Sequence, residues 1–134
     1  LQGPKAPWPE INQVGIPPTV QRSKWRANHK ATSITTEAWG PMARGKTLRD
    51  PTIRALAEKY GKSPAQVILR WHVQEGNIVL IKSATPSRIQ ENIEIFDFEL
   101  ATGDMRTMAR IDGDPDGAPS YTEEAAARMP YWKP

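Results

Sequence analysis

Short β-branched runs alternate with stretches of helical period along this chain. The clearest run is Ile78-Val79-Leu80-Ile81, which stops abruptly at Lys82-Ser83. A run of that kind predicts a strand buried on both faces, as in a parallel sheet. Glu10 to Val14, and Ser33 to Ala38 ending at Trp39, predict two more strands. Between them, Thr19 to Lys30 predicts a weakly amphipathic helix with Val20 and Trp25 as inward contacts. Asp50-Pro51 opens a helix that turns Ile53 and Leu56-Ala57 inward, and Gly61 closes it in a left-handed position. Ser63-Pro64-Ala65-Gln66 spells a capping box, and the helix it starts runs through Val67, Leu69 and Val73. Gly76-Asn77 turns the chain into the 78–81 run.

After that run, Thr85 predicts an N-cap, with Pro86 where its missing N–H costs nothing. Arg88 and Asn92 share one face of the new helix, while Ile89, Ile93 and Phe96 form the opposing core stripe. Thr102 is read as the cap of a last helix that packs Met105, Met108 and Ala109 inward and ends near Asp112-Gly113. Leu1 to Pro9 reads as an irregular lead-in, 112–117 as an acidic turn-rich loop, and Glu123 to Met129 as a short helix before Tyr131-Trp132. Strand–helix units in succession, with connections longer than the roughly dozen residues a parallel crossover requires, predict an α/β fold. The division expected is a folded portion at 1–112 and a loop and tail at 113–134.

Composition narrows the function classes. A chain of 134 residues is long enough for one domain with a core. Its mean hydropathy is negative. No run approaches a membrane span and no signal pattern opens the chain, so no membrane partner and a cytoplasmic location are expected. The sequence has no cysteine, which excludes disulfides and thiolate metal sites. A net charge of +3, scattered rather than striped, makes nucleic acid an unexpected partner.

The chemistry concentrates after the 78–81 strand. Lys82 and Ser83 fall at the carboxyl end of a parallel strand, beside a helix N-terminus whose N–H groups and dipole favour an anion. Arg88 adds a second cation, and together they specify a phosphate site. By spacing alone, Lys82 and Arg88 read equally well as solvated surface charges, and Trp39 as a core residue at a strand end. His72 and Tyr60 read as structural helix residues. No pair of histidines has ligand spacing such as His-x-x-x-His. Asp112, Asp114 and Asp116 alternate like the start of a calcium loop, but Pro115 inside it argues against one.

The order Lys82-Ser83, Arg88, Glu91-Asn92 resembles the NADPH-binding signature of the aldo-keto reductase family. The resemblance implies that Lys82 and Arg88 hold the adenosine 2′-phosphate, with Ser83 beside them, and that Glu91 and Asn92 meet the adenine. Asn12-Gln13 resembles the family's Asn-Gln at a barrel strand end, which implies that Gln13 bonds the nicotinamide carboxamide. Ala38-Trp39-Gly40-Pro41-Met42, followed by Gly45-Lys46, matches the next strand end, where an aromatic ring stacks on nicotinamide. This wording is closest to the 2,5-diketo-D-gluconic acid reductase branch. The stretch from Lys62 to His72 and Phe96-Asp97-Phe98-Glu99-Leu100 are further family wording. Two departures stand out. Ile81 replaces a common proline, and Gly15-Ile16-Pro17-Pro18 replaces the family's acidic residue and His-Pro.

The fold this implies is a partial (β/α)8 TIM barrel: its last three strand–helix units, a C-terminal helix and a tail. A full barrel takes about 250 residues and eight strands. The family's catalytic aspartate, tyrosine, lysine and histidine come from the other half, and Tyr60, Tyr121 and Tyr131 lack the catalytic context. The expectation is therefore an NADPH-binding portion of a carbonyl reductase with no catalytic residue of its own. A small carbonyl substrate would be taken only in an intact barrel. The alternative is an inactive half-barrel that binds or assembles, as a homo-oligomer or with a missing amino-terminal half. The chain opens on Leu1 rather than methionine, which favours a missing upstream part.

Overall fold

The computed structural model describes residues 9–113. The predicted 123–129 helix, Tyr121, Tyr131, Trp132, Asp114 and Asp116, and nearly all of the predicted lead-in, lie outside the described residues. Those described form three strands and five α-helices in the order β1 (Ile11–Gly15), α1 (Ser23–Ala31), β2 (Thr35–Trp39), α2 (Pro51–Tyr60), α3 (Pro64–Gln74), β3 (Ile78–Leu80), α4 (Pro86–Ile93) and α5 (Thr102–Ala109). Two short 3-10 turns, Ala43–Gly45 and Thr47–Arg49, bridge β2 to α2.

Local chemistry sets most boundaries. The Asp50 carboxylate accepts the N–H groups of Thr52 and Ile53 at 2.8 and 3.1 Å, satisfying donors that a helix start leaves orphaned. Gly61 closes α2 at φ 61, a left-handed position that suits glycine. Both arms of the Ser63–Gln66 capping box form, at 3.2 and 3.0 Å. Two predicted caps differ. Thr85 is at the N-cap of α4 but makes no side-chain bond; the Ser83 hydroxyl accepts the Thr85 N–H at 3.3 Å instead. The N-cap of α5 is Ala101, with Thr102 already inside the helix. Helix α1 also starts later than the pattern predicts, because Val20 N–H turns back to the Pro17 carbonyl at 2.9 Å and Arg22 is left-handed at φ 51.

The sheet is parallel, in the order β1-β2-β3. Gln13 pairs in register with Glu37, and Gly15 with Trp39; Glu37, Ala38 and Trp39 pair with Ile78, Val79 and Leu80. Period-two alternation sends Val14, Thr36 and Ala38 to the buried helical side. Ile11, Gln13, Thr35, Trp39, Ile78 and Leu80 face out. The buried side merges with Ile16, Ile53, Leu56, Ala57, Val67, Ile68, Trp71, Leu100 and Met108 in one core, where each large side chain contributes roughly 1.5–3 kcal/mol by leaving water.

Several expected burials fail, and for β3 the reason is that helices cover only one face of the sheet. Strand β3 is not buried on both faces. Ile78 and Leu80 are 42% and 44% exposed, and Ile81 lies past the strand end. The stripe Ile89, Ile93 and Phe96 is exposed as well, at 45%, 61% and 69%. Trp25 and Ala109 also face solvent. The inward residue of α1 is His29, whose ring nitrogens meet Asn12 Nδ2 at 3.0 Å and Thr36 Oγ1 at 2.9 Å, tying the helix to both β1 and β2. Tyr60 is packed, its ring against Phe98 at 5.7 Å and its hydroxyl donating to Asp104 while accepting the Ala101 N–H at 2.9 Å.

His72 is fully buried against Trp71, with Nδ1 3.2 Å from the Asn77 amide. Burial first, then the nearby Arg26 charge, push its pKa from 6.5 to about 3, and the Ile16 backbone offsets this only in part. Between those values the unfolded chain binds a proton that the folded chain refuses. The stability His72 contributes is therefore present above about pH 6.5 and drains away as pH falls toward 3. Burial lowers the pKa of His29 too, in the same sense. Urea titrations should show a loss on the order of 2 kcal/mol between pH 7 and pH 5. The His72→Gln chain, whatever its starting stability, should lose clearly less over that interval.

Candidate functional site

The register puts Gly15, Trp39 and Leu80 in one row at the carboxyl ends of the strands. A Cβ at position 15 would sit 3.4 Å from two atoms of the Trp39 ring. Glycine there lets the indole settle close over β1. One row earlier, Gln13 Nε2 donates to Glu37 Oε1 at 2.6 Å on the same open face. After Trp39 the chain turns sharply through left-handed Gly40, Ala43, Arg44 and Gly45, at φ 60, 46, 55 and 87. Two consecutive non-glycine residues in that region store backbone strain.

Past β3, Lys82 and Ser83 lead into α4, and a cleft of about 570 Å³ opens between that turn and the start of α3. Its lining includes Lys82, Ser83, Arg88, Glu91 and Asn92, all five residues expected around the adenosine phosphate. A second cleft continues from Lys82 and Arg88 to Gly40 and Arg44, and a third from Gly40 and Arg44 to Trp39 and Gly15. Three neighbouring clefts that share lining residues thus follow the strand carboxyl ends and between them carry seven of the eight expected residues. Gln13 is set apart, on the open sheet face next to the Trp39 row. Lys82 and Arg88 are exposed, Ser83, Glu91 and Asn92 half-buried. Neither cation is ion-paired among the described residues.

What holds α4 in place was not among the expected site residues. Gln66 donates from Nε2 to the carbonyls of Glu91 and Glu94 at 3.1 and 3.0 Å, at and just past the end of α4. One turn on, Arg70 Nη1 reaches the Ile95 carbonyl at 3.3 Å. Gln74 then binds Leu100 through both ends of its amide, at 3.0 and 2.8 Å. These side chains recur every fourth residue on a largely apolar helix, the spacing of one face. That recurrence was the available signal. Met42, Leu48 and Ser63-Pro64-Ala65 also line the cleft. The loop that departs from family wording is pinned to the other end of the molecule. The Gln21 side chain donates to the Pro18 and Met108 carbonyls at 2.9 and 2.7 Å, and its N–H to Asp112 at 3.1 Å.

The donor set is one that an anion at the α4 start would use: an ammonium, a guanidinium, a hydroxyl and a helix N-terminus. Glu91 and Asn92, farther along the cleft, supply acceptors and an amide for a neutral ring. The residues present fit a nucleotide carrying a phosphate on its sugar. Among the described residues no group of acidic side chains or histidines could hold a metal, and no helix is long and apolar enough to cross a membrane.

Known proteins resemble this chain strongly. A model of the aldo/keto reductase family matches residues 13–113. An aldo-keto reductase of Mycolicibacterium smegmatis is 44% identical over 104 residues, covering 78% of this chain and 38% of that protein. The methylglyoxal reductase DkgA of Escherichia coli K12 is 45% identical over 109 residues, with the same two coverages of 78% and 38%. Among solved structures, a mutant of Gox0644 in complex with NADPH superposes with TM-score 0.79 at 39% identity, covering 84% of this chain and 41% of that one. An aldo/keto reductase from Brucella melitensis gives 0.72 at 48% identity, covering 76% and 39%. The chain thus spans well under half the length of these relatives. With the matched segment running from Gln13 through α5 and a parallel sheet that carries its site at the strand carboxyl ends, the chain belongs to the aldo/keto reductase family and forms part of its (β/α)8 barrel.

Proposed function

We propose that this chain is the cofactor-holding portion of an NADPH-dependent carbonyl reductase. The observation that carries this reading is the cleft that gathers Lys82, Ser83, Arg88, Glu91 and Asn92 at the α4 start. The NADPH complex of the Gox0644 mutant supports the choice of cofactor. In this reading Lys82 and Arg88 grip the 2′-phosphate, Ser83 lies beside them, and Glu91 and Asn92 meet the adenine. Trp39 and Gly40 border the nicotinamide, and Gln13 holds its carboxamide. When bound, the cofactor supplies a hydride for a carbonyl carbon. The DkgA name of the Escherichia coli relative supports small dicarbonyls, with 2,5-diketogluconate-like sugars a further candidate.

The 2′-phosphate is the only group that separates NADPH from NADH, and a charge-assisted hydrogen bond contributes roughly 1.5–3 kcal/mol. Arg88→Ala should therefore weaken NADPH binding about tenfold or more and leave NADH nearly unchanged. Asn92→Ala should weaken both equally, because both carry adenine. Calorimetry on the three chains decides it, and equal losses of the two cofactors in Arg88→Ala would refute the phosphate assignment.

Reduction itself needs a proton donor, a role worth typically 10²–10⁴-fold. Tyr60 does not fill it, since its hydroxyl is engaged with Asp104 and Ala101 at the α5 start. Mixed with NADPH and methylglyoxal, the chain alone should show no substrate-dependent oxidation above background. Sustained turnover would overturn that expectation.

A second reading, an assembly module, is favoured by the open sheet face. Ile11, Trp39, Ile78 and Leu80 stand exposed beside an unpaired β3 edge, and Ile89, Ile93 and Phe96 lie exposed on the next helix. Bare edges and large apolar patches drive association. Sedimentation at low micromolar concentration should show dimers or larger species, and a monodisperse, cooperatively unfolding monomer would contradict this.

A further inference from the structure

We propose that Glu37 is a positioning residue that fixes which end of the Gln13 amide faces the cofactor, leaving Gln13 to present an acceptor oxygen to a carboxamide N–H₂. The inference rests on the cofactor reading above and extends it to the nicotinamide end. Gln13 and Glu37 are direct cross-strand neighbours, and both side chains point to the open face. Gln13 Nε2 donates to Glu37 Oε1 at 2.6 Å, a short contact of the charge-assisted kind.

A glutamine amide has two ends of nearly equal shape, one donating and one accepting. Beside a neutral partner such as another amide, either end can turn inward. A carboxylate accepts only, so Glu37 commits the N–H₂ end of Gln13 and turns Oε1 outward. Among the described residues nothing else hydrogen-bonds the Gln13 side chain. The flanking positions in the same row and the row before it are Ile78, Ile11 and Thr35. On the carboxyl side stands the Trp39 ring over Gly15. Oε1 is thus an open acceptor next to the aromatic residue expected to border the nicotinamide, and its natural complement is a donor such as a carboxamide N–H₂. Were the pair only a sheet-stabilising contact, it would not read that group.

The deciding probe is the 3-acetylpyridine analogue of NADP⁺, in which a methyl replaces the carboxamide N–H₂. Calorimetry should show the unaltered chain preferring NADP⁺ by about fivefold, the range of one neutral hydrogen bond. Glu37→Gln, in which either amide end can face Gln13, should shrink that preference to below about twofold. Binding of 2′,5′-ADP should not change between the two chains. Full preference retained in Glu37→Gln overturns the inference. So does an unaltered chain that binds 2′,5′-ADP without preferring NADP⁺, and in that case the cofactor reading survives. Failure of 2′,5′-ADP to bind overturns both.

A measurement without cofactor or variant covers the case in which Glu37→Gln does not fold. In nitrogen-edited NMR of the unaltered chain, one of the two Gln13 side-chain amide protons should lie downfield of those of solvated glutamines, as a short bond to a carboxylate requires. Gln13 amide protons at the shifts of a solvated glutamine overturn the inference.

Discussion

One polar stripe decides where the cofactor cleft lies. Gln66, Arg70 and Gln74 project from α3 and bind the backbone of the segment from Glu91 to Leu100. Without them α4 would have little reason to sit where it does, because its own apolar residues face solvent. Its attachment is polar: one buried glutamine amide binds the Glu91 carbonyl near its end and the Glu94 carbonyl just past it. The same amide's oxygen closes the capping box of α3. A single side chain therefore ends one helix and starts another, and the cleft is the space between those two termini. The anion-favouring start of α4 faces that space because its end is tied down.

The other constraint is the half-covered sheet. Helices pack on one side, so Val14, Ala38 and the α2, α3 and α5 side chains share a core, while the opposite face carries exposed Ile11, Trp39, Ile78 and Leu80. The site straddles this boundary. The end proposed for the phosphate lies over the helical side, between α3 and α4. Its aromatic and amide end lies on the open side, over β1 and β2. A ligand long enough to span both would cross the carboxyl edge of the sheet, the edge where barrel sites form.

The sequence was most legible where chemistry is local. Asp50, the Ser63–Gln66 box and Gly61 act within a few residues of themselves, and each does in the structure what its pattern predicts. The strands and their parallel order were equally legible, because β-branched runs separated by long helical crossovers admit few other arrangements. Burial was less so. Ile78, Leu80, Ile89, Ile93 and Phe96 announce by their character that something should cover them, but not whether that cover belongs to the same stretch of chain. The structure answers that it does not among the described residues. Least legible were contacts set by register. His29 bridging Asn12 and Thr36, and Gln13 meeting Glu37, join residues far apart in sequence. A slip of one position in the β1–β2 ladder would dissolve both.

The two ends of the site differ in how firmly they are built. Gln13, Gly15 and Trp39 belong to strands locked by a parallel ladder and backed by a dry core on one side. Lys82, Ser83 and Arg88 belong to a turn and a short helix held mainly by side-chain amides and one guanidinium. Each such bond is worth about 0.5–1.5 kcal/mol net. Helix α4 has no buried residue, so no apolar burial adds to that sum. Local opening therefore starts at the α4 end, where few apolar contacts resist it. The division suits the chemistry of each end. Charge attraction acts over several ångströms and tolerates a loose frame, whereas ring stacking and amide pairing need atoms fixed to within a few tenths of one. The firm ladder carries the geometry and the lightly tethered helix carries the charge.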